Sequence, residues 1–165
     1  MSKEKPTAPV TAYDGLPLNI NVTYVKDISF ENLNPLKTFS MQENPDISIN
    51  VEVQGRGVAE QTYEVELIVR AEATHKSEKM FIFELTYAGI FTITETDERA
   101  LKEMLLIDCP RILFPFARAI IASTTHEASV VPINLAMIDF RKLAESQGKG
   151  SDEMQGSEGT TSVLN

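Results

Sequence analysis

Residues 80–122 constrain this chain more than any other stretch. They hold its most apolar strand, an amphipathic helix, and then a helix with apolar side chains on nearly every side. A helix that is apolar all round must be covered on all sides. A single chain of 165 residues can hardly supply that cover. Self-association is the natural answer. The remaining sequence offers three more strands, a short last helix and two polar ends.

Length fits one domain, with residues 1–18 and 147–165 as polar tails and 19–146 as the folded unit. Both tails lack apolar period and are expected to be disordered, the second one acidic. The formal charge is −9 with a pI near 4.7. Such a chain is ill suited to nucleic acid, whose phosphates call for Lys and Arg. It suits basic or unfolded partners, or plain solubility. Cys109 is the lone cysteine, so neither an intrachain disulfide nor a thiolate metal cluster is expected. Lys3 and Lys5 precede Pro6, Pro9 and Pro17 without an apolar run, unlike a signal peptide. The longest apolar run, 112–122, contains Pro115 and Arg118 and is too short to span a bilayer. The expectation is a cytoplasmic protein that does not insert into membranes.

Alternation with period two marks half-buried strands. From Asn19, the side chains Ile20, Val22, Tyr24, Ile28 and Phe30 point one way; Asn21, Thr23, Asp27, Ser29 and Glu31 point the other. Val25 and Lys26 break the pattern. Asn34-Pro35 ends the strand. A crossover through Phe39 and Met41 leads to a second strand with Ile47, Ile49, Val51 and Val53 on one face. Gln54-Gly55-Arg56-Gly57 reads as a turn. The third strand puts Tyr63, Val65, Leu67, Val69, Ala71 and Ala73 inward and Glu64, Glu66, Arg70 and Glu72 outward. His75-Lys76-Ser77 forms a polar turn. The fourth buries Phe81, Phe83, Leu85, Tyr87, Phe91 and Ile93, with Ile82 and Glu84 outward and a bulge or bend at Gly89.

Four alternating strands favour an antiparallel sheet, so the fold class is α+β with helices packed on one face. The open face then carries Asp27, Glu31, Glu52, Glu64, Glu66, Glu72 and Glu84, with Ile82 among them. It reads either as a solvated surface or as a dock for a basic partner with an apolar anchor.

Thr94 or Thr96 is placed to cap a helix whose stripe is Ala100, Leu101, Met104 and Leu105, widened by Leu106 and Ile107. Pro110 suits the first position of a second helix, which Pro115 should bend. That helix is either plain core or, in part, the wall of a groove for extended apolar chains. An irregular apolar loop, 130–137, precedes a short helix over 139–146 bearing Phe140 and Leu143.

Catalytic chemistry is not evident. His75 and His126 have no metal-ligand spacing. Ser123, His126 and Glu127 are adjacent in sequence, which a triad does not require. GRGVAE at 55–60 lacks the third glycine of a dinucleotide fingerprint. Cys109 sits before an expected helix start, which can lower a thiol pKa, but its apolar neighbours favour a structural role. The expectation is a non-enzyme with no catalytic residue, metal or cofactor.

Three stretches carry a family resemblance: TYVKDISFEN (23–32), ELTYAGIFTI (84–93), and DCPRILFPFARAIIAS (108–123) followed by PINLAMIDF (132–140). Together they resemble SecB, the bacterial export chaperone, over roughly 19–145. The resemblance implies a homotetramer, a dimer of dimers, with the helix of Leu101, Met104 and Leu105 at the interface between dimers. It implies an ATP-independent chaperone that holds unfolded preproteins and delivers them to the ATPase SecA. Docking of SecA, including its basic, zinc-bearing C-terminal tail, falls by motif on Asp27, Glu31, Ile82 and Glu84. Client binding falls by position on Phe39, Met41, Ile47, Ile49, Phe114 and Phe140. Glu43 stands where relatives often have Trp, and Ala88-Gly89 replaces a usual double glycine. A SecB-like chaperone dedicated to a toxin–antitoxin pair is the alternative. The intact acidic set favours the general export role.

Overall fold

A computed structural model describes the backbone of residues 17–154 and side chains of 17–148. The expected tails lie largely outside those residues. Strand β1 (Leu18–Asn32) leads through a short helix α1 (Pro35–Ser40) to β2 (Asp46–Ala59), β3 (Thr62–His75) and β4 (Glu78–Ile93). Helix α2 (Glu98–Glu103), a π-helical turn (Met104–Asp108) and α3 (Cys109–Glu127) run on without interruption; α4 (Phe140–Met154) closes the order.

The sheet is antiparallel in the order β1-β4-β3-β2. The longest and most apolar strand, β4, is therefore central, paired on both sides. Its inward residues Phe81, Phe83, Leu85, Phe91 and Ile93 are almost wholly buried, as are Val65, Leu67 and Val69 beside them. Helix α3 covers that face with Leu113, Ala117 and Ile121, all fully buried. The fold class is thus α+β, with the helices on one face and the other face open.

Several local expectations are corrected. The turn expected at 54–57 is strand: β2 runs through both glycines to Ala59, and the chain reverses at Glu60-Gln61, where Gln61 has φ 51°. Gly55 lies over the Leu105 side chain, where an added Cβ would make an ordinary contact at 3.4 Å. Gly89 causes no bulge in β4, whose pairing to β3 runs unbroken past it. It makes room for the Phe91 ring and for Leu113 of α3. The polar turn at 75–77 is present, with Lys76 and Ser77 at φ 49° and 69°.

The two expected helices are one continuous rod. Asp97, not Thr94 or Thr96, caps its start: the carboxylate accepts the Ala100 amide at 2.9 Å. The amide of Cys109 bonds back to the carbonyl of Met104, the wider spacing of a π turn. Pro110 then costs little, because it has no N–H to place in the disturbed ladder. Cys109 consequently sits mid-helix rather than at a free helix start. Burial pushes its thiol up to about 12, and neighbouring Asp108 adds to the shift. The loop of 130–139 is tied down by Thr125, whose hydroxyl donates to Ile121 O at 2.8 Å and accepts from the Ile133 amide at 3.0 Å. Helix α4 continues past Ser146, where the sequence placed its end.

Candidate functional site: the open sheet face

Partners directly opposite in an antiparallel ladder share a face. The register therefore lays the open face out in rows from β1 to β2. One row holds Glu31, Ile82, Glu72 and Ser48; the next holds Ser29, Glu84, Arg70 and Asn50; the third holds Asp27, Thr86, Ile68 and Glu52. Asp27, Glu31, Ile82 and Glu84 thus lie in three consecutive rows of adjacent strands. The carboxylates of Asp27 and Glu31 have no hydrogen-bond or ion-pair partner among the described residues. Glu84 meets Arg70 at 3.3 Å, both half-exposed, and such a contact contributes little. Ile82 is half-buried between Glu31 and Glu72.

The face assignment within β1 needs one correction. The ladder slips between Ile20 and Val22 and again between Val25 and Asp27. Between these two bulges the faces are exchanged. Thr23 and Val25 point toward the helices, opposite Gly89 and Tyr87; Val22 and Tyr24 point outward, opposite Ile90 and Ala88. Tyr87 confirms the inward side by donating to the Thr23 hydroxyl at 3.0 Å. The break seen at Val25-Lys26 was the signal, and a single extra residue explains it.

The other end of the open face carries a cluster that sequence reasoning missed. Glu64 of β3 is only 3 % exposed. One of its oxygens accepts the Tyr24 hydroxyl; the other accepts Lys26 Nζ at 3.1 Å and Arg56 Nε at 2.7 Å. Lys26 also bonds Glu66. Hydrogen bonds from Tyr24, and then from Arg56 and Lys26, hold the Glu64 carboxyl down at about 2 against the opposing effect of burial. The Glu64 carboxylate in turn raises the Tyr24 phenol and the Arg56 guanidinium, while Glu66 first and then Glu64 raise the Lys26 amine. Because the folded value lies below the ordinary 4.5, the unfolded chain binds more protons between those limits. Stability from Glu64 is complete above pH of about 4.5 and is lost as pH falls toward about 2. Acid titration of the wild type should therefore show a loss of unfolding free energy in that window that Glu64→Gln lacks.

The residues assigned to client binding separate into two groups. Phe39 is 91 % exposed and Ile49 43 %, while Met41 and Ile47 are half-buried. Phe114 and Phe140 are core: their rings meet edge to face at 6.0 Å, and both are buried. They can only floor the hollow of about 480 Å³ whose rim is Arg111, Pro115, Arg118, Met137 and Ile138. Leu101, Met104 and Leu105 are half-buried against the chain's own core. Among the described residues there is no cluster of potential metal ligands, and no helix is long and apolar enough to cross a membrane.

The family model for SecB, preprotein translocase subunit, matches residues 12–150. The chain belongs to the SecB family. The protein-export protein SecB of Granulibacter bethesdensis is 40 % identical over 150 residues, covering 86 % of this chain and 88 % of that one. SecB of Rhodospirillum centenum is 45 % identical over 134 residues, 80 % of each chain. Among solved structures, a SecB-like chaperone of Mycobacterium tuberculosis, in complex with a ChAD peptide from an antitoxin, superposes with a TM-score of 0.61. That likeness covers 74 % of this chain and 91 % of the other at 11 % identity, so it shows the shared fold alone. The SecB relationship makes this chain a protein-export chaperone.

Proposed function

We propose that this SecB protein holds unfolded preproteins in the cytosol without ATP and passes them to SecA, docking SecA through the open sheet face. The observation that carries the docking is the pair of unpartnered carboxylates, Asp27 and Glu31, set in rows beside apolar Ile82. A basic, zinc-bearing tail of SecA complements such a surface in charge, and Ile82 gives it one apolar contact. Electrostatic complementarity of this kind raises association rate and selects partners more than it adds affinity.

Client capture falls to the opposite side of the molecule. Exposed Phe39, Leu36 and Met137 border the crossover and the 130–139 loop, and large apolar side chains this exposed mark a binding surface. Met and Phe adapt to varied shapes, which suits a chaperone that accepts many sequences. Folded proteins escape because their own apolar residues are buried. The working assembly is a homotetramer, a dimer of dimers, with Leu101, Met104 and Leu105 completing their burial between dimers. The toxin–antitoxin alternative is set aside, because its support is a neighbour alike in fold at 11 % identity, against export relatives at 40–45 %.

Light scattering tests the reading. The expected result is a tetramer that gains mass with an unfolded preprotein, not with the folded form, and gains further mass with SecA. A particle that ignores unfolded chains would overturn it.

A further inference from the structure

Val25 and Asp27 are two residues apart and should share a face of a regular strand. They do not: Val25 pairs with inward Tyr87, and Asp27 with outward Thr86. Lys26 is the extra residue between them. Were β1 to pass residue 26 without a bulge, the alternation would place Asp27, Ser29 and Glu31 toward the helices and Ile28 and Phe30 outward. The outward placement of Asp27, Ser29 and Glu31 is therefore conditional on one bulge in an edge strand.

What holds that bulge is on the same face. Lys26 reaches Glu64 at 3.1 Å and Glu66, and Tyr24 reaches the other Glu64 oxygen. Both acids belong to β3, which does not neighbour β1, since β4 lies between them. The two side chains therefore cross over β4 at Ala88, which lies on the open face and yet is fully buried. A methyl group at 88 leaves room for that crossing; a larger side chain in the row Tyr24–Ala88–Glu66 would block it. Arg56 holds the same carboxylate from β2 on the far side. The cluster thus ties both edge strands to β3. A buried carboxylate whose donors are removed is costly, so the anchor resists slippage of β1.

We propose that Lys26, anchored on Glu64 and Glu66, is a positioning residue of the docking face: it holds the β1 bulge that turns Asp27 and Glu31 outward. The inference rests on the docking role assigned above, and the two can fail separately.

The sign of one effect distinguishes positioning from simple charge. Removing a cation from an acidic face should strengthen its hold on a basic tail by Coulomb's law. Loss of the bulge should weaken it. The test measures affinity of the full chain for purified SecA at low salt, together with cross-strand nuclear Overhauser contacts between residues 27–31 and β4. The expected result for Lys26→Met, which keeps the apolar stem, is a roughly tenfold weaker complex. The Asp27–Thr86 and Glu31–Ile82 contacts should be lost or divided between two registers, and Lys26→Arg should restore both readouts. Unchanged register with equal or tighter SecA binding overturns the inference, and so does weaker binding with the register intact. A Glu31→Gln, Glu84→Gln chain run alongside tests the docking role itself. If that chain binds SecA normally, the docking reading falls, whatever Lys26 does to the register.

Discussion

Gly89→Val is expected to lower the urea midpoint of the protein more than any single change on its surface, with a net loss of about 1–2 kcal/mol per protomer. A Cβ at this position would lie 2.7 Å from Phe91 Cε2, 2.9 Å from Cζ and 3.0 Å from Leu113 Cδ2. None of these can withdraw, since Phe91 and Leu113 are fully buried between sheet and α3. Overpacking of this kind costs about 1–3 kcal/mol. The gain from replacing a strand glycine, roughly 0.5–1 kcal/mol, opposes it without matching it. Gly55→Ala is the internal control. There the nearest atom is Leu105 Cβ at 3.4 Å, an ordinary contact on an exposed strand. It should be neutral or stabilising by up to about 1 kcal/mol. Both midpoints must be read at one protomer concentration, because assembly adds to apparent stability. Equal effects at the two glycines would show that α3 does not seat on Gly89 as described.

The same two glycines show why parts of the fold were legible and others not. Period two is a strong signal, so the four strands and the inward faces of β3 and β4 could be read directly. A glycine's reason is not in its neighbours along the chain. Gly89 answers to Phe91 and Leu113, contacts that only the folded chain creates. Pro110 reads as a helix start because proline costs a regular helix a hydrogen bond, yet a π turn removed most of that cost. How little of Phe114 and Phe140 reaches the surface was hidden in the sequence for a related reason. Each looks available on its own helix, but they bury one another. On the open sheet face, Asp27, Glu31, Ile82 and Glu84 could be placed on one side from alternation alone. The bulge on which that placement depends showed only as a break at Val25-Lys26, and its anchor on Glu64 spans 38 residues of sequence.

The second large effect concerns that face. Glu31→Lys combined with Glu84→Lys should weaken SecA binding by roughly tenfold to a hundredfold at low salt while leaving uptake of unfolded preprotein near the wild-type level. An exposed ion pair contributes only about 0.2–1 kcal/mol, so removing one acid would be hard to detect. Reversal replaces attraction with repulsion at two points, and about 1.4 kcal/mol already makes a factor of ten. Arg70 increases the effect. It lies 3.3 Å from Glu84 in the native face, and with a lysine in place of that acid the row would carry two adjacent cations. Screening supplies the sharper test. At 0.1 M salt the Debye length is about 10 Å and at 1 M about 3 Å, so the gap between variant and wild type should close as salt rises. Glu60→Lys with Glu127→Lys changes net charge by the same amount, at the β2–β3 turn and the end of α3. If that pair weakens SecA equally, overall charge is responsible and the rows of Glu31 and Glu84 are not a dock. If only the face variant fails, and fails less in high salt, SecA reads the position of these carboxylates and not merely their number.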